Sequence, residues 1–464
     1  MKTFSINTLG CKVNQYEGRQ IQELLEHLGL VNIGLSQKPE LVVVNTCCVT
    51  HTASAKSRQY IRKIHNISPE SHIVVCGCLP TVNIGELNNI DKNVHLIRDR
   101  GCLAAELSRL TNNKVITPNP KNHQFCLDSN NIIKTKNCPK IKDKNELSKY
   151  LDLPPLNSFK GHTRAFLKIQ DGCDGHCTYC IVPKTRPCVH SKSADIVLKE
   201  AKALVGAGHK EIVVTGVFLG AYGQDSVIRK NWPNQQNNNL ADILDKMAEI
   251  PNLTRIRLSS LEPADVTPRL LDTFSKHRNI MPHLHLSLQS GSDAILKRMR
   301  RQYNADEYRG KIELIKDRLD RPAITTDIIV GFPGETDSDF KQTLNLAKDV
   351  GFAKIHVFSF SPRKGTAAAR MQDSIDNRVI KERSILLHNL NTKLARNYRQ
   401  QFIGETAEIL LENDNGLLYG RCERYFKVYL PKPEQRLKKN DLVTARLTRN
   451  HRDGLIGQIV SIVE

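Results

Sequence analysis

The segment Gln170-Asp171-Gly172-Cys173-Asp174-Gly175-His176-Cys177-Thr178-Tyr179-Cys180 constrains this chain more than any other. Its Cys-x3-Cys-x2-Cys spacing puts three thiols on one short loop, directly after a strand-like run at residues 165–169. Three thiolates can hold three irons of a [4Fe-4S] cluster and leave the fourth iron without a protein ligand. A structural zinc site normally wants four ligands, and His176, the nearest candidate, lies inside the loop rather than after a turn. A redox disulfide would need only two cysteines. The open iron is what an enzyme that cleaves S-adenosyl-L-methionine (SAM) requires. The amino and carboxylate groups of SAM can chelate that iron, and an electron from the cluster then breaks a carbon–sulfur bond.

Ten further cysteines bring the total to thirteen, an odd number that excludes complete pairing within the chain. The sequence begins MKTFSINTLGCK, with no apolar stretch of signal-peptide length, and it has no run of eighteen apolar residues. A cytoplasmic protein with no membrane span is therefore expected. In that reducing setting, clustered cysteines point to metal or redox chemistry rather than to disulfides. The 68 Lys and Arg residues against 48 Asp and Glu give a formal net charge of +20. Such a balance favours a polyanionic partner, with nucleic acid first and an anionic membrane surface second. Solubility alone is the plainer explanation of the charge.

A second group of cysteines occupies the first part of the chain. Residues 4–8, 41–45 and 73–76 read as buried parallel strands, and Ile21, Leu24, Leu25 and Leu28 fall at helical spacing before a capping Gly29. Cys11, Cys47 and Cys78 each lie just past the carboxyl end of one of these strands, the edge where open α/β sheets gather ligands. Packed side by side, the three loops could present three thiolates at one point. The plainer reading is that Cys is a common small core residue. Cys48 and Cys76 sit beside the triad and compete for the ligand assignment. Cys102, Cys188 and Cys422 read as structural or free thiols, and Cys126 and Cys138 as incidental.

With 464 residues, 39% of them hydrophobic, the chain can build two to four domains. The predicted fold class is α/β: a parallel-sheet α/β domain over residues 1–111, then a basic linker over 112–158, rich in Asn, Lys and Pro. Strand-like runs at 165–169, 211–215, 255–260, 283–288, 324–330 and 354–360 alternate with helical patterns, which suggests a partial (βα)6 barrel over residues 159–390. After a polar helix near 376–401, runs at 408–412, 424–430, 442–447 and 455–463 suggest a small all-β barrel within 393–464. Residues 421–464 hold ten Lys/Arg and five Asp/Glu, with Tyr425, Phe426 and Tyr429 interleaved. That mixture suits phosphate contact and base stacking, although strand alternation must turn some aromatics into the barrel's own core.

The motifs Leu9–Glu17 (LGCKVNQYE), Asn45–Thr50 (NTCCVT), Cys76–Cys78 (CGC), the DGCDGHCTYC loop, Leu258–Pro263 (LSSLEP), Leu288–Asp293 (LQSGSD), Asp327–Glu335 (DIIVGFPGE) and Ser361–Thr366 (SPRKGT) together span the chain. In this combination the sequence resembles the radical SAM methylthiotransferase family, with its N-terminal cluster domain, radical SAM core and C-terminal TRAM domain. The first-cysteine motif resembles the bacterial branch acting on N6-threonylcarbamoyladenosine in tRNA. The resemblance implies two [4Fe-4S] clusters, an auxiliary one on Cys11, Cys47 and Cys78 and a SAM-binding one on Cys173, Cys177 and Cys180. It implies SAM as methyl donor and radical source, tRNA as substrate, and sulfur delivered through the auxiliary cluster. Thr215 and Gly216, at the second barrel strand end, are where related cores approach SAM, and Gln289 ends the fourth strand on the same edge. Carbon 2 of adenine carries a hydrogen that acid–base catalysis cannot use, so radical chemistry fits the target. An electron donor and a monomeric state are also expected. The alternatives are the same chemistry on isopentenyladenosine or on a ribosomal protein, and a non-catalytic iron–sulfur RNA-binding protein.

Overall fold

The computed structural model describes residues 1–82, 93–111, 153–228, 237–413, 418–431 and 437–463. Most of the basic segment 112–158, including Cys126 and Cys138, lies outside the described residues. The chain forms two compact units. One comprises Met1–Asn157 with Asp171–Asp174 and Cys180–His190; the other comprises Ser158–Gln170, Gly175–Tyr179 and Ser191–Glu464.

The first unit is built on a five-stranded parallel sheet. Its strands are β1 (Thr3–Thr8), β2 (Val31–Asn32), β3 (Leu41–Thr46), β4 (His72–Gly77) and β5 (Val94–Leu96), in the order β2-β1-β3-β4-β5. The three expected strands are the central ones. The two edge strands are too short to leave a periodic trace. Strand β3, LVVVNT, is buried at every position, because the parallel sheet is covered on both faces. Val43 and Val74 pack with Leu24, Leu25, Leu103 and Leu107 on one face. Val42, Val44 and Val75 pack with Ile61 and Ile64 on the other. The first face is covered by α1 (Lys12–His27) and the helix Leu103–Thr111, and the second by α2 (His51–Ile67), which is capped by Thr50, whose side chain accepts from Ala53 N at 3.1 Å.

The second unit contains the expected partial barrel. Its parallel strands are β6 (Arg164–Lys168), β7 (Glu211–Thr215), β8 (Arg255–Leu258), β9 (His283–Leu286), β10 (Ala323–Val330) and β11 (Lys354–Ser359). Strands β6, β7 and β8 form one hydrogen-bonded sheet, and β9, β10 and β11 form another with Ser260–Leu261. The run expected at 255–260 changes partners at its middle. Ser259 N still donates to Val214 O at 2.9 Å, whereas Ser260 and Leu261 pair with β9.

The C-terminal strands β12 (Thr406–Asn413), β13 (Tyr419–Arg421), β14 (Lys427–Tyr429), β15 (Leu442–His451) and β16 (Gly454–Val463) close into a barrel. The stretch expected as one strand at 424–430 is a turn followed by the shorter β14, with Tyr425 at φ 71°. That turn presses Tyr425 onto the larger barrel of the same unit. Its ring lies 4.7 Å from Arg257, 5.0 Å from Arg164 and 4.3 Å from Arg421, and its hydroxyl accepts from Arg164 at 2.6 Å. Phe426 packs on the small barrel's core, and Tyr429 bonds Asp453. These aromatics therefore serve packing.

Arg255 and Arg257 are fully buried beneath this contact. Arg257 Nε meets Glu211 Oε1 at 2.9 Å, and Arg255 donates to the carbonyls of Arg421 and Glu408 at 3.0 and 2.7 Å. Burial opposes the charge on Glu211, yet Arg257 first, then Arg164 and Arg255, hold its carboxyl below the usual range. Its stabilising contribution is therefore complete at neutral pH and is lost as the pH falls through that lowered value. Glu211→Gln leaves two guanidinium groups buried without their carboxylate and should cost about 3–5 kcal/mol. Urea unfolding at pH 7 measures this directly, and a loss below about 1 kcal/mol would contradict the assignment.

Candidate metal centres

Three loops meet at the carboxyl edge of the N-terminal sheet. Leu9 N donates to Asn45 O at 2.8 Å, and Cys78 N donates to Thr46 O at 2.9 Å. Asn14, at the start of α1, donates from one amide nitrogen to both Leu9 O and Thr46 O at 2.9 Å. Asn45 returns a bond to Asn14 O at 2.8 Å. Gly10, at φ 111°, lets the first loop close on the second, since a Cβ there would lie 2.6 Å from Cys47 Cβ and 3.0 Å from its sulfur. Cys11, Cys47 and Cys78 are carried by these three loops, and charge at Cys78 raises the Cys11 thiol.

The other two cysteines nearby point elsewhere. Cys76 lies in the core with its sulfur 3.8 Å from Val44 O, and burial pushes its thiol up to about 12. Cys48 is fully buried and donates to Cys78 O at 3.3 Å. A hydrogen bond from Cys48 holds the Cys78 thiol well below its ordinary range against the cost of burial. Arg186 and Arg100 add to the effect, with Arg100 donating to the sulfur at 3.3 Å. Cys78 is thus prepared as a thiolate, the form that binds iron. Cys11 behaves differently. Its side chain reaches solvent, but surrounding protein atoms still desolvate it enough to raise its thiol.

Arg186 is the buried cation of this site. It donates to Asp171 at 2.7 Å, to Glu17 at 2.7 and 2.6 Å and to Asn14 at 3.2 Å. Burial works against its charge, and Asp171 and Glu17 outweigh that and hold it protonated. Nothing in the sequence marks this residue beyond its place six positions after Cys180.

In the loop with three closely spaced cysteines, Gly172 adopts φ 79°, and a Cβ there would meet Cys188 O at 1.7 Å. Cys173 N donates to Arg186 O at 2.9 Å. Cys177 accepts from Arg301 at 3.2 Å, and Arg301 is buried and paired with Glu262 of the LSSLEP motif. A guanidinium therefore donates to a cysteine sulfur at Cys177 as at Cys78. The run RMRRQY conceals Arg301 among solvated cations, so sequence inspection passes over it. Cys180 is half-buried on the same loop. Cys102 and Cys188 each take part in a disulfide, whereas Cys422 is a free thiol in the small barrel's core that burial raises to about 12.

Thr215 and Gly216 stand at the end of β7 and Gln289 just past β9, on the barrel edge where the sequence places them. A Cβ on Gly216 would come within 2.9 Å of Gln170 Oε1, the atom that accepts from Phe218 N at 2.7 Å. Gln289 has φ 66° and is fixed by β10 through Asp327 O and Ile329 N. Below it, neighbouring strands bring His285, Asp327 and His356 together with their polar atoms within 4.8 Å. His285 meets Asp327 at 3.3 Å and Thr325 at 2.9 Å. This polar set escapes a sequence reading because register, not spacing, assembles it.

Arg186→Met removes the cation from two buried carboxylates. The expected result is a loss of about 3–5 kcal/mol in stability. Because that charge also favours the thiolate, Cys78 in cluster-free protein should alkylate severalfold more slowly at pH 7. Mass-spectrometric iodoacetamide kinetics will read the rate, and an unchanged rate would remove Arg186 from the account.

The Radical SAM superfamily matches residues 167–347, and the uncharacterized protein family UPF0004 matches residues 3–99. The chain is 34% identical to threonylcarbamoyladenosine tRNA methylthiotransferase MtaB of Bacillus subtilis, over 100% of this chain and 98% of that protein. It is 35% identical to the protein of the same name from Chlamydia pneumoniae, over 99% and 98%. It is 32% identical to the tRNA-2-methylthio-N(6)-dimethylallyladenosine synthase of Pelotomaculum thermopropionicum, over 91% and 90%. Among solved structures, the radical SAM methyltransferase TsrM from Kitasatospora setae shares the fold at TM-score 0.50 and 14% identity, covering 77% of this chain and 75% of that one. With a three-cysteine radical SAM loop, a three-cysteine N-terminal sheet edge and full-length likeness at this level, the chain belongs to the radical SAM methylthiotransferase family.

Proposed function

We propose that this enzyme methylthiolates carbon 2 of N6-threonylcarbamoyladenosine at position 37 of tRNA, beside the anticodon. Two separate three-cysteine sites on one chain carry the reading of the reaction. One site suffices to cleave SAM, whereas a reaction that also inserts sulfur needs a second place to hold it. The choice of nucleoside is supported by the relatives bearing the threonylcarbamoyladenosine name, at 34–35% identity, against 29–32% for the dimethylallyladenosine synthases. The LGCKVNQYE motif around Cys11 favours the same branch.

In this reading Cys173, Cys177 and Cys180 hold the SAM-binding [4Fe-4S] cluster, and Cys11, Cys47 and Cys78 hold the auxiliary one. Bound there, the clusters and SAM supply the radical and sulfur chemistry that a C–H bond of adenine demands. The residues of the chain set the conditions. The donors from Arg301 and Arg100 orient their sulfurs and withdraw charge from them. Cys48 fixes Cys78, while Cys76 stays a core thiol. Thr215, Gly216 and Gln289 face SAM along the strand ends. Residues 1–111 form the auxiliary-cluster domain, 159–390 the radical SAM core and 393–464 the TRAM domain that grips RNA. Among the described residues no helix is long and apolar enough to cross a membrane.

Two outcomes are expected. Nucleosides from a strain lacking the gene should lose 2-methylthio-N6-threonylcarbamoyladenosine and accumulate its unthiolated precursor, as read by mass spectrometry. Loss of the isopentenyl analogue instead would overturn the branch. In anaerobically reconstituted protein, replacing Cys11, Cys47 and Cys78 by Ala should remove about half of the bound iron, whereas Cys76→Ala should keep it all. A full iron count in the triple variant would refute the auxiliary ligand set.

A further inference from the structure

Helix α2 carries a groove that neither cysteine site uses. Its seventeen residues include Lys56, Arg58, Arg62 and Lys63 and no Asp or Glu. Ser54, Ser57, Ile61 and Ile64 turn inward, so helical periodicity sets Lys56, Tyr60, Lys63 and Ile67 along another side. Lys56, Arg62 and Lys63 are exposed, and none pairs with a carboxylate among the described residues. Together with Tyr60, Ile67 and Leu9 they line a groove of about 550 Å³. Leu9 fixes where the groove leads, because it lies two residues before Cys11 on the same loop.

We propose that this groove is an RNA-phosphate site, which holds the tRNA backbone flanking the nucleotide under modification at the domain that carries the auxiliary cysteines. The proposal rests on the tRNA reading above and adds to it a second contact surface apart from the C-terminal barrel. Three unpaired cations with no acid on their helix suit a phosphodiester chain, whose charge repeats at every residue. A folded protein partner would instead want a large apolar anchor at the centre, and here the apolar side chains lie among cations. The half-buried Tyr60 offers a ring edge and face for a ribose or an unstacked base.

The test uses the full-length, cluster-loaded protein and a fluorescein-labelled tRNA anticodon stem-loop that lacks the methylthio group. Anisotropy titrations across a salt series compare wild type with the K56A/R62A/K63A triple variant. The triple variant should bind about tenfold more weakly near physiological salt, and its slope of log K against log salt should flatten by about two to three. Tyr60→Ala should weaken binding and leave the slope as in wild type. Circular dichroism and iron content, both expected at wild-type values, guard against a folding artefact. Wild-type affinity and slope in a folded triple variant would overturn the proposal alone. A wild-type protein that binds no tRNA at all would overturn the tRNA reading, and this proposal with it.

Discussion

The N-terminal site depends on one buried charge balance. Arg186 is closed in by Glu17, Asp171 and Asn14, and none of these groups could be left alone in so dry a place. A buried cation held by carboxylates fixes the ends of three backbone segments, because each charge is costly to move away from its partners. The same cation lowers the Cys78 thiol and offsets part of the burial cost at Cys11. Position and reactivity of these cysteine sulfurs therefore follow from one set of ion pairs. Cys48 completes the arrangement as a donor, which explains how a fourth cysteine sits beside three candidate ligands without competing with them.

The radical SAM loop shows the same device with different residues. Arg301 donates to Cys177, and Glu262 compensates its charge. Hydrogen bonds to cluster sulfurs draw off negative charge and so tune the reduction potential. An arginine suits this position because its guanidinium stays charged while its several N–H groups reach Tyr179, Tyr303 and the sulfur together.

At the other end of the second unit, Arg164, Arg255, Arg257 and Glu211 form a polar floor against which Tyr425 rests. Charged side chains buried this deeply contribute less to net stability than apolar ones would, but they accept one geometry only. The small barrel is thereby held by carbonyl bonds from Arg255 and Arg257 as well as by an apolar cluster in which Ala323, Tyr398 and Phe402 join its core. Its aromatic residues are largely spent on this docking and on its own core.

Much of this was legible in the amino-acid order. The spacing of Cys173, Cys177 and Cys180 is a local property, and so is the position of Cys11, Cys47 and Cys78 after apolar runs. Six β-branched runs separated by helical periods were enough to imply the partial barrel, since a parallel strand and its covering helix each write their own period. The sequence alone therefore determined the α/β class and the small β-barrel, and it placed the cysteines on the loops where they are found. It could not separate Cys78 from Cys76 or Cys48, because which sulfur turns toward the sheet edge depends on the φ of 91° at Gly77 and on packing against both faces. Nor could it find Arg186, Arg100 or Arg301. Pairs such as Arg186 with Glu17, 169 residues apart, exist only when the chain closes on itself. The same holds for the unpaired cations of α2. A run of Lys and Arg reads as solvated surface until the fold shows which carboxylates it lacks and which loop it stands beside.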